Sequence, residues 1–569
     1  MAEYRPLPIS ESFFDSMIEN GYYYVDKTLL IKDMLDRKAK VVLCTRPRRF
    51  GKTLNQTMLK CFFEDTAPID GKDTRALFRS LKIEEAGERY MEHQGKYPVI
   101  YLTFKDTKGE NFKETCDIFK DLLSAEFRRH GYAKEKIGDT VNLKKFESLS
   151  SGNGDISSYK ESLKFLSKCL ENYHGKKTVI LIDEYDVPLE NSWSRTPRFY
   201  DDMIDFIRPL LSGAFKDNPH IKTGVITGCL RVSKESIFTG LNNLDTASVL
   251  DKKYSEYFGF TQLETDAMLN YYGLDAKKQL VRDWYNGYLF GNTEVYNPWS
   301  CLKAVDSWIT DINEYPRAYW VNTSGNDIIH DMIDNMNAEA KAGLETLMSG
   351  ETISSTANEY VTYGDIFEDA DNLWNFLLFT GYLKKTGDGR QNADGELTLD
   401  LSIPNIELRY IYKTKIQQWL KTQIAKKNLD ALNNSILNGD AETIQRELSK
   451  LLLESISYMD SAENFYHGFM AGVLGVLTRL NGYMVASNRE SGDGRGDLVL
   501  YRVNGKESRA IIFEFKTAKE FDKLPTACEN ALKQIEDMNY TADWDKEGYK
   551  NIIKYGIGFY KKRCEVRKG

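Results

Sequence analysis

One short segment constrains this 569-residue chain more than any other. It runs VVLCT, RPRRFGKT, LNQTMLKCFF from Val41 to Phe63. The first five residues are apolar and rich in β-branched types, as a strand requires. After the basic loop, Leu54, Met58, Leu59 and Phe62 recur at helical spacing. A strand, a loop closed by Gly-Lys-Thr and a helix therefore follow in order. Gly51 lets the backbone approach a phosphate, and the helix N-terminus behind it offers free N–H groups and a positive dipole end. Lys52 is placed to reach the β- and γ-phosphates, and the Thr53 hydroxyl to ligate Mg²⁺. The pattern G-x-x-x-x-G-K-[ST] asks for glycine at position 46, where this chain has Arg46. Arg46, Arg48 and Arg49 are expected to add positive charge around the same point. On the loop alone, a nucleotide site and a basic strand-to-helix turn both remain open.

A second motif favours the nucleotide. KKTVILIDEYD, Lys176 to Asp186, is an apolar strand that ends in two acids. Near-continuous aliphatic residues mark a buried parallel strand, and ligands bind at the carboxyl ends of such strands. Asp183 is expected to hold Mg²⁺ through water, and Glu184 to orient and deprotonate the attacking water. YPVIYLTF (Tyr97 to Phe104) and HIKTGVITG (His220 to Gly228) read as further strands of the same sheet. Thr227 ends the latter as a sensor of the γ-phosphate or as a plain strand end, and Arg231 is expected to stabilise the phosphate charge. Helical stretches at 112–131, 158–173 and 198–213 alternate with these strands, the signature of a parallel, helix-flanked sheet.

The C-terminal stretch GDGRGDLVLYRVNGKESRAIIFEFKTAKE carries a different chemistry. Two strand candidates, DLVLYR and AIIFEFK, flank the turn signal NGKES. Alternation puts Phe513 and Phe515 on one face and Glu514 with Lys516 on the other. Burying two Phe side chains stabilises by ~1.5–3 kcal/mol each, which fixes that register. Asp497 begins the partner strand, seventeen positions before Glu514. This is the D…E-x-K arrangement of PD-(D/E)XK nucleases. In it Asp497 and Glu514 bind one or two Mg²⁺ (Mn²⁺ being an alternative), and Lys516 positions or polarises a water. A leading helix places Glu463 near the cluster, and a following helix carries Gln534 as a polar helper. His467 reads as structural. The other reading is a half-exposed hairpin with an ordinary Glu–Lys pair, worth only ~0–1 kcal/mol.

Composition narrows the class. Hydrophobic content of 41% and charged content of 28% call for packed cores. The length calls for several domains. A net charge of −8 does not suggest a generic nucleic-acid coat protein, although a global charge can hide a local one. Residues 461–569 hold 18 Lys/Arg against 15 Asp/Glu, an excess of +3 that leaves −11 for the rest. Eight scattered cysteines form no C-x-x-C and no zinc spacing, which fits a reducing compartment. MAEYRPLPISESFF lacks the pattern of a signal peptide, and no apolar run reaches ~18 residues. The expectation is a soluble cytoplasmic protein with no membrane partner.

Between the two motifs, Ser233–Tyr288 reads as short helices with polar joints. VRDWYNGYLFGNTEVYNPWS reads as a packed aromatic corner. LWNFLLFTGYLKKT followed by ELTLDLSIPN reads as helix, Gly turn and strand, a winged-helix-like unit. Residues 411–458 read as amphipathic helices that link and space the ends.

Five segments together resemble the bacterial AAA-ATPase-like family paired with a PD-(D/E)XK nuclease domain. They are LPISESFFDSMIENGYYYVDKTLLIKDML, RPRRFGKT, LIDEYDVPL, TGCLRVSKESIFTGLNNL and WYNGYLFG…YNPWS. The resemblance implies that R-P-R-R-F-G-K-[ST] is the usual loop and that Arg46 is its ordinary variant. It implies an α/β protein with an N-terminal P-loop (AAA/ASCE-like) parallel sheet and helical lid, and a winged-helix-like middle. A C-terminal restriction-endonuclease-like α/β domain completes it. The expected regions are 1–235, a lid at 236–290, 291–425, a helical linker at 426–460, and 461–569. Tyr24, Asp26 and Lys27 would contact adenine or brace the loop, with ordinary packing as the alternative. Nucleotide binding falls to Arg48, Arg49, Gly51, Lys52, Thr53, Asp183, Thr227 and Arg231. The implied activity is ATP-controlled, metal-dependent cleavage of nucleic acid, DNA first, with homo-oligomers a usual form. The alternative is an ATP-dependent switch whose C-terminal domain only binds nucleic acid or a protein partner.

Overall fold

The computed structural model describes residues 4–231, 244–322, 327–425, 429–454, 463–481, 483–491, 494–502 and 508–569. It divides into two compact units, residues 1–322 with 354–408, and residues 323–353 with 409–569.

The first unit is built on a five-stranded parallel sheet. Its strands are β1 (Val41–Thr45), β2 (Val99–Thr103), β3 (Thr178–Asp183), β4 (Ile221–Gly228) and β5 (Leu244–Ala247), in the spatial order β2-β3-β4-β1-β5. β1 and β3 are buried along their whole length, as strands covered on both faces must be. The expected helices appear at Phe112–Arg129, Ser162–His174 and Tyr200–Phe215. The helix Lys52–Phe63 crosses the sheet, and the Gln56 amide ties it to β3 and β4 through the carbonyls of Ile182 and Val225, each at 3.2 Å.

The segment read as short helices with polar joints also contributes a strand. β5 pairs with β1 from Val41↔Leu244 to Cys44↔Ala247. Its four residues, LDTA, hold too little apolar pattern to signal a strand, and pairing on one side alone suffices for an edge. Beyond it come helices Gln262–Tyr271, Lys278–Tyr285 and Pro298–Thr310, packed around Met268, Leu269, Val281, Tyr285, Val305 and Trp308. Thr261 and Glu264 form a reciprocal capping box at the first of these helices. A two-stranded ribbon, β6 (Tyr288–Phe290) and β7 (Thr293–Val295), forms a packed aromatic corner. Tyr288 and Phe290 sit 4.9 and 5.1 Å from the ring of Phe50 in the phosphate-loop segment. A three-stranded sheet joins β8 (Ile353–Thr356), which precedes the helix Ala370–Thr380, to β9 (Lys384–Gln391) and β10 (Leu397–Ser402), which follow that helix and its left-handed Gly381 cap.

The second unit holds a mixed sheet of β11 (Met484–Ser491), β12 (Gly494–Arg502), β13 (Arg509–Thr517), β14 (Asn551–Tyr560) and β15 (Arg563–Lys568), in that order. Only the β13–β14 pair is parallel. Helix Leu524–Asp537 runs between those two strands, the crossover that parallel pairing demands. The tail KKRCEVRKG, notable in the sequence for its charge, supplies β15, whose Cys564 and Val566 alternate inward. Helices Ile406–Ala425, Asp430–Asn438 and Ala441–Glu454 occupy the stretch read as amphipathic. Among the described residues no helix is long and apolar enough to cross a membrane.

Candidate functional site

At the carboxyl ends of β1, β3 and β4 the phosphate-loop residues meet the acidic pair. Asp183 is fully buried. Thr53 donates to one of its oxygens at 2.7 Å and Thr227 to the other at 2.6 Å. Burial, and then the neighbouring Glu184, push the Asp183 carboxyl above its ordinary range. Glu184 itself is half-buried with φ +53°, a left-handed conformation that costs a non-glycine residue energy. The surrounding backbone enforces it: Phe104 N–H binds the Asp183 carbonyl at 2.9 Å, and Tyr185 N–H binds the Thr227 carbonyl at 3.0 Å. Lys52 Nζ donates to the Arg46 and Pro47 carbonyls at 2.9 and 3.0 Å, so the lysine lies along the loop. Arg48 pairs with Glu190, and the Arg49 guanidinium stacks 4.4 Å from the ring centre of Trp299.

Arg46 does not add the expected positive charge around the phosphate loop, because its guanidinium turns away into the interior. It is fully buried. Its guanidinium donates to the carbonyls of Thr45 at 2.8 Å, Ala247 at 2.7 Å and Lys253 at 3.2 Å, and packs against Phe258 and Phe290. Arginine thus does a packing job here, pinning β5 and the segment after it to the start of the loop. Its terminal nitrogens turn to backbone carbonyls because a buried guanidinium is costly without hydrogen bonds. Arg46→Gly restores the general loop pattern, yet it is expected to destabilise the protein by about 3 kcal/mol in urea unfolding, because it strands those carbonyls and leaves a cavity.

Tyr24, Asp26 and Lys27 brace this part of the molecule. Lys27 Nζ meets both Glu264 oxygens at 2.7 and 2.6 Å. Asp26 caps Thr28 N–H at 2.8 Å and accepts from Lys82 N–H at 2.7 Å. The Tyr24 hydroxyl faces Met58 Sδ at 3.6 Å.

In the second unit, β12 and β13 bring the three C-terminal residues together. Leu498 pairs with Phe513, so Asp497 lies beside Glu514. Asp497 Oδ2 accepts from Phe515 N–H at 2.8 Å, Asp497 N–H points at Glu514 at 3.4 Å, and Lys516 Nζ donates to Glu514 at 3.3 Å. Both faces of β13 are covered. Phe513 stacks on Tyr555, and Phe515 packs near Phe559 and His467. Ala510 and Ile512, on the Glu514 face, pack against Val499, Ile535, Tyr540 and Trp544. The half-exposed hairpin is therefore excluded: Glu514 is only 1% exposed. Burial, and then Asp497, push its carboxyl up to about 7. His467 Nε2 lies 2.9 Å from the Asp497 carbonyl. Gln534 donates to the Tyr540 hydroxyl at 3.0 Å. The Tyr540 phenol is raised chiefly by burial and also by the charges of Glu514 and Asp497. Glu463 opens the helix Glu463–Asn481, and its side chain lies outside the described residues.

Both centres suit the groups the sequence implies. Asp183 with Thr53, and Asp497 with Glu514, are hard oxygen donors of the kind Mg²⁺ takes. Two close carboxylates, one of them buried, gain most from a cation between them. Among the described residues no group of three or more His, Cys, Asp or Glu is arranged to hold a metal.

Residues 8–238 match the family model described as Predicted AAA-ATPase, and residues 461–569 match that of the PD-(D/E)XK nuclease superfamily. The chain joins an AAA-ATPase-like domain to a PD-(D/E)XK nuclease-superfamily domain. A protein of Azotobacter chroococcum mcd 1, described as an uncharacterized protein in the vnfD 5′ region, is 26% identical over 556 residues, covering 96% of this chain and 94% of that protein. That likeness runs through the middle region, which neither family model covers.

Sequence reasoning missed several polar residues of the ATPase-like domain. Asp186 is buried, and its Oδ2 accepts from the N–H groups of Cys229 and Leu230 at 2.7 and 3.0 Å. Burial pushes it up to about 6. The Tyr185 hydroxyl binds the Leu230 carbonyl at 2.6 Å. Together they fasten the end of β4 to the acidic motif. The only signal available was their position directly after Glu184. In the nuclease-superfamily domain, Tyr540 carried no signal beyond its place after the Gln534 helix.

Proposed function

We propose that this protein binds and hydrolyses ATP and couples that cycle to a metal-dependent nuclease acting on nucleic acid, with DNA the first substrate. Support comes from one recurring observation: at each centre a buried carboxylate meets the residues that would share its work. Thr53 and Thr227 meet Asp183, and Asp497 and Lys516 meet Glu514. In the ATPase-like domain, Arg48, Arg49, Gly51 and Lys52 bind phosphates. Thr53 and Asp183 hold Mg²⁺, and Glu184 takes the proton of the attacking water. Thr227 reads the γ-phosphate, and Arg231 stabilises its charge. In the nuclease-superfamily domain, Asp497 and Glu514 hold Mg²⁺ or Mn²⁺ with Glu463 beside them. Lys516 positions the water, and Gln534 flanks it as a polar helper. A divalent ion there acidifies the bound water and balances charge on the scissile phosphate. A cytoplasmic location and assembly into homo-oligomers belong to the same reading.

The test is cleavage of plasmid, linear and single-stranded DNA with Mg²⁺ or Mn²⁺, with and without ATP. Lys516→Ala is expected to lose cleavage. Lys52→Ala is expected to retain it but to lose its response to ATP. ATP hydrolysis with no cleavage of DNA or RNA by the native protein would replace this reading with the regulatory switch.

A further inference from the structure

Two arginines, Arg48 in the phosphate loop and Arg231 just past β4, are engaged by carboxylates. Arg48 meets Glu190, which follows the Asp-Glu motif by only a few residues. Arg231 meets Glu359, which lies 128 residues away in the chain. The second pair is the more informative, because its acid comes from a different part of the same unit.

Arg231 Nη1 lies 3.4 Å from Glu359 Oε2, and the two side chains are 23% and 27% exposed. The other Glu359 oxygen accepts from Ser248 Oγ at 2.8 Å, just past the end of β5. The Tyr360 ring packs 4.8 Å from the Arg231 guanidinium. Arg231 follows Leu230, which Asp186 and Tyr185 fasten to the acidic motif. Its backbone therefore leaves the sheet beside Glu184. Glu359 is held with equal care. Asn358 N–H binds Asn375 Oδ1 at 2.9 Å, and the Asn358 amide binds Asn372 Oδ1 at 3.1 Å. Both partners sit on the helix Ala370–Thr380. The cap of that helix, Gly381, lies against the phosphate loop: a Cβ there would stand 2.7 Å from Pro47 Cβ. One helix thus touches the phosphate loop at its end and carries the Glu359 segment along its side.

We propose that Glu359 is a nucleotide-selectivity residue: it competes with the γ-phosphate for Arg231, so that a triphosphate displaces it and a diphosphate does not. This rests on the reading that ATP binds at Lys52. A carboxylate and a terminal phosphate oxygen offer the guanidinium the same kind of acceptor, so occupancy by one excludes the other. A diphosphate gains nothing from Arg231 and leaves the Glu359 pair alone. Exchange of partners at Arg231 would leave Glu359 held to the sheet side by Ser248 alone while Asn358 stays fastened to its helix. The middle region would then register whether a γ-phosphate is bound.

The experiment measures equilibrium affinities of the full chain for ATP and ADP in Mg²⁺, by calorimetry. Glu359→Gln is expected to tighten ATP binding by about five-fold and leave ADP unchanged, as removal of one half-buried competitor implies. Ser248→Ala, which loosens Glu359, is expected to shift ATP affinity the same way by less. On an Arg231→Ala background, Glu359→Gln should have no effect. Equal shifts for ATP and ADP, a shift that survives Arg231→Ala, or no shift at all would overturn the proposal. Native protein that binds neither nucleotide would overturn the ATP reading and this inference with it. Native protein that binds ATP as tightly as Glu359→Gln would overturn the inference alone.

Discussion

Asp183→Asn is expected to cut ATP hydrolysis by about 100-fold while changing ATP affinity far less. Both oxygens of Asp183 are committed, one to Thr53 at 2.7 Å and the other to Thr227 at 2.6 Å. An amide keeps one acceptor and turns a donor toward the other hydroxyl. That hydroxyl must then rotate, and Thr53 or Thr227 loses its orientation. The substitution also removes a charge that burial and Glu184 already make costly, and that a divalent ion would balance. Loss of a residue that acts on a metal through water typically costs 10–100-fold, and two misdirected threonines place this case at the upper end. Phosphate release and ATP affinity, measured on the same preparation, check it. Unchanged turnover would reduce Asp183 to a buried strand end and remove the acid from the nucleotide chemistry.

What the sequence could say depended on how locally each feature is determined. VILID declares itself because an unbroken aliphatic run has few other uses, and IIFEF because its apolar residues alternate around Glu514 after a turn signal. The face shared by Glu514 and Lys516 followed from alternation alone. Its burial did not, although Ala510 and Ile512 on the same face were the available sign. Arg46 shows the opposite situation. A three-arginine loop reads as charge, but one guanidinium closes on the carbonyls of Ala247 and Lys253, about two hundred residues away. Nothing near position 46 announces those partners. β5 escaped for a related reason: an edge strand of four residues borrows its order from β1. Glu190, Glu359 and Tyr540 are ordinary in sequence and acquire meaning only through the side chains the fold brings to them. The polar partners of a site are thus harder to read than its motif, because a motif is fixed by chain order and a partner by packing.

Glu514 sets the second large effect, and its sign follows from its carboxyl. Burial and Asp497 raise it from its ordinary 4.5 to about 7, against the pull of Lys516 and the Asp497 N–H. A raised acid means that the folded protein binds the proton more tightly than the unfolded chain. Stability without divalent ions should therefore be highest below pH ~4.5 in this contribution. It should fall as pH climbs through the window to about 7 and then level off, by about 3 kcal/mol at most. Glu514→Gln is expected to flatten that slope. Metal binding runs the other way, because Mg²⁺ and Mn²⁺ take the ionised carboxylate. Affinity should climb by up to ten-fold per pH unit below 7 and plateau above it. Titration of Mn²⁺ at pH 6 in two buffers of different ionisation heat should reveal close to one proton released, and at pH 8 almost none. Mn²⁺ should raise the melting temperature of the native protein at pH 8 and leave Glu514→Gln unmoved. A stability profile that rises with pH across the window, or equal Mn²⁺ stabilisation of Glu514→Gln, would mean that Glu514 is a satisfied buried acid and not the centre of a metal site.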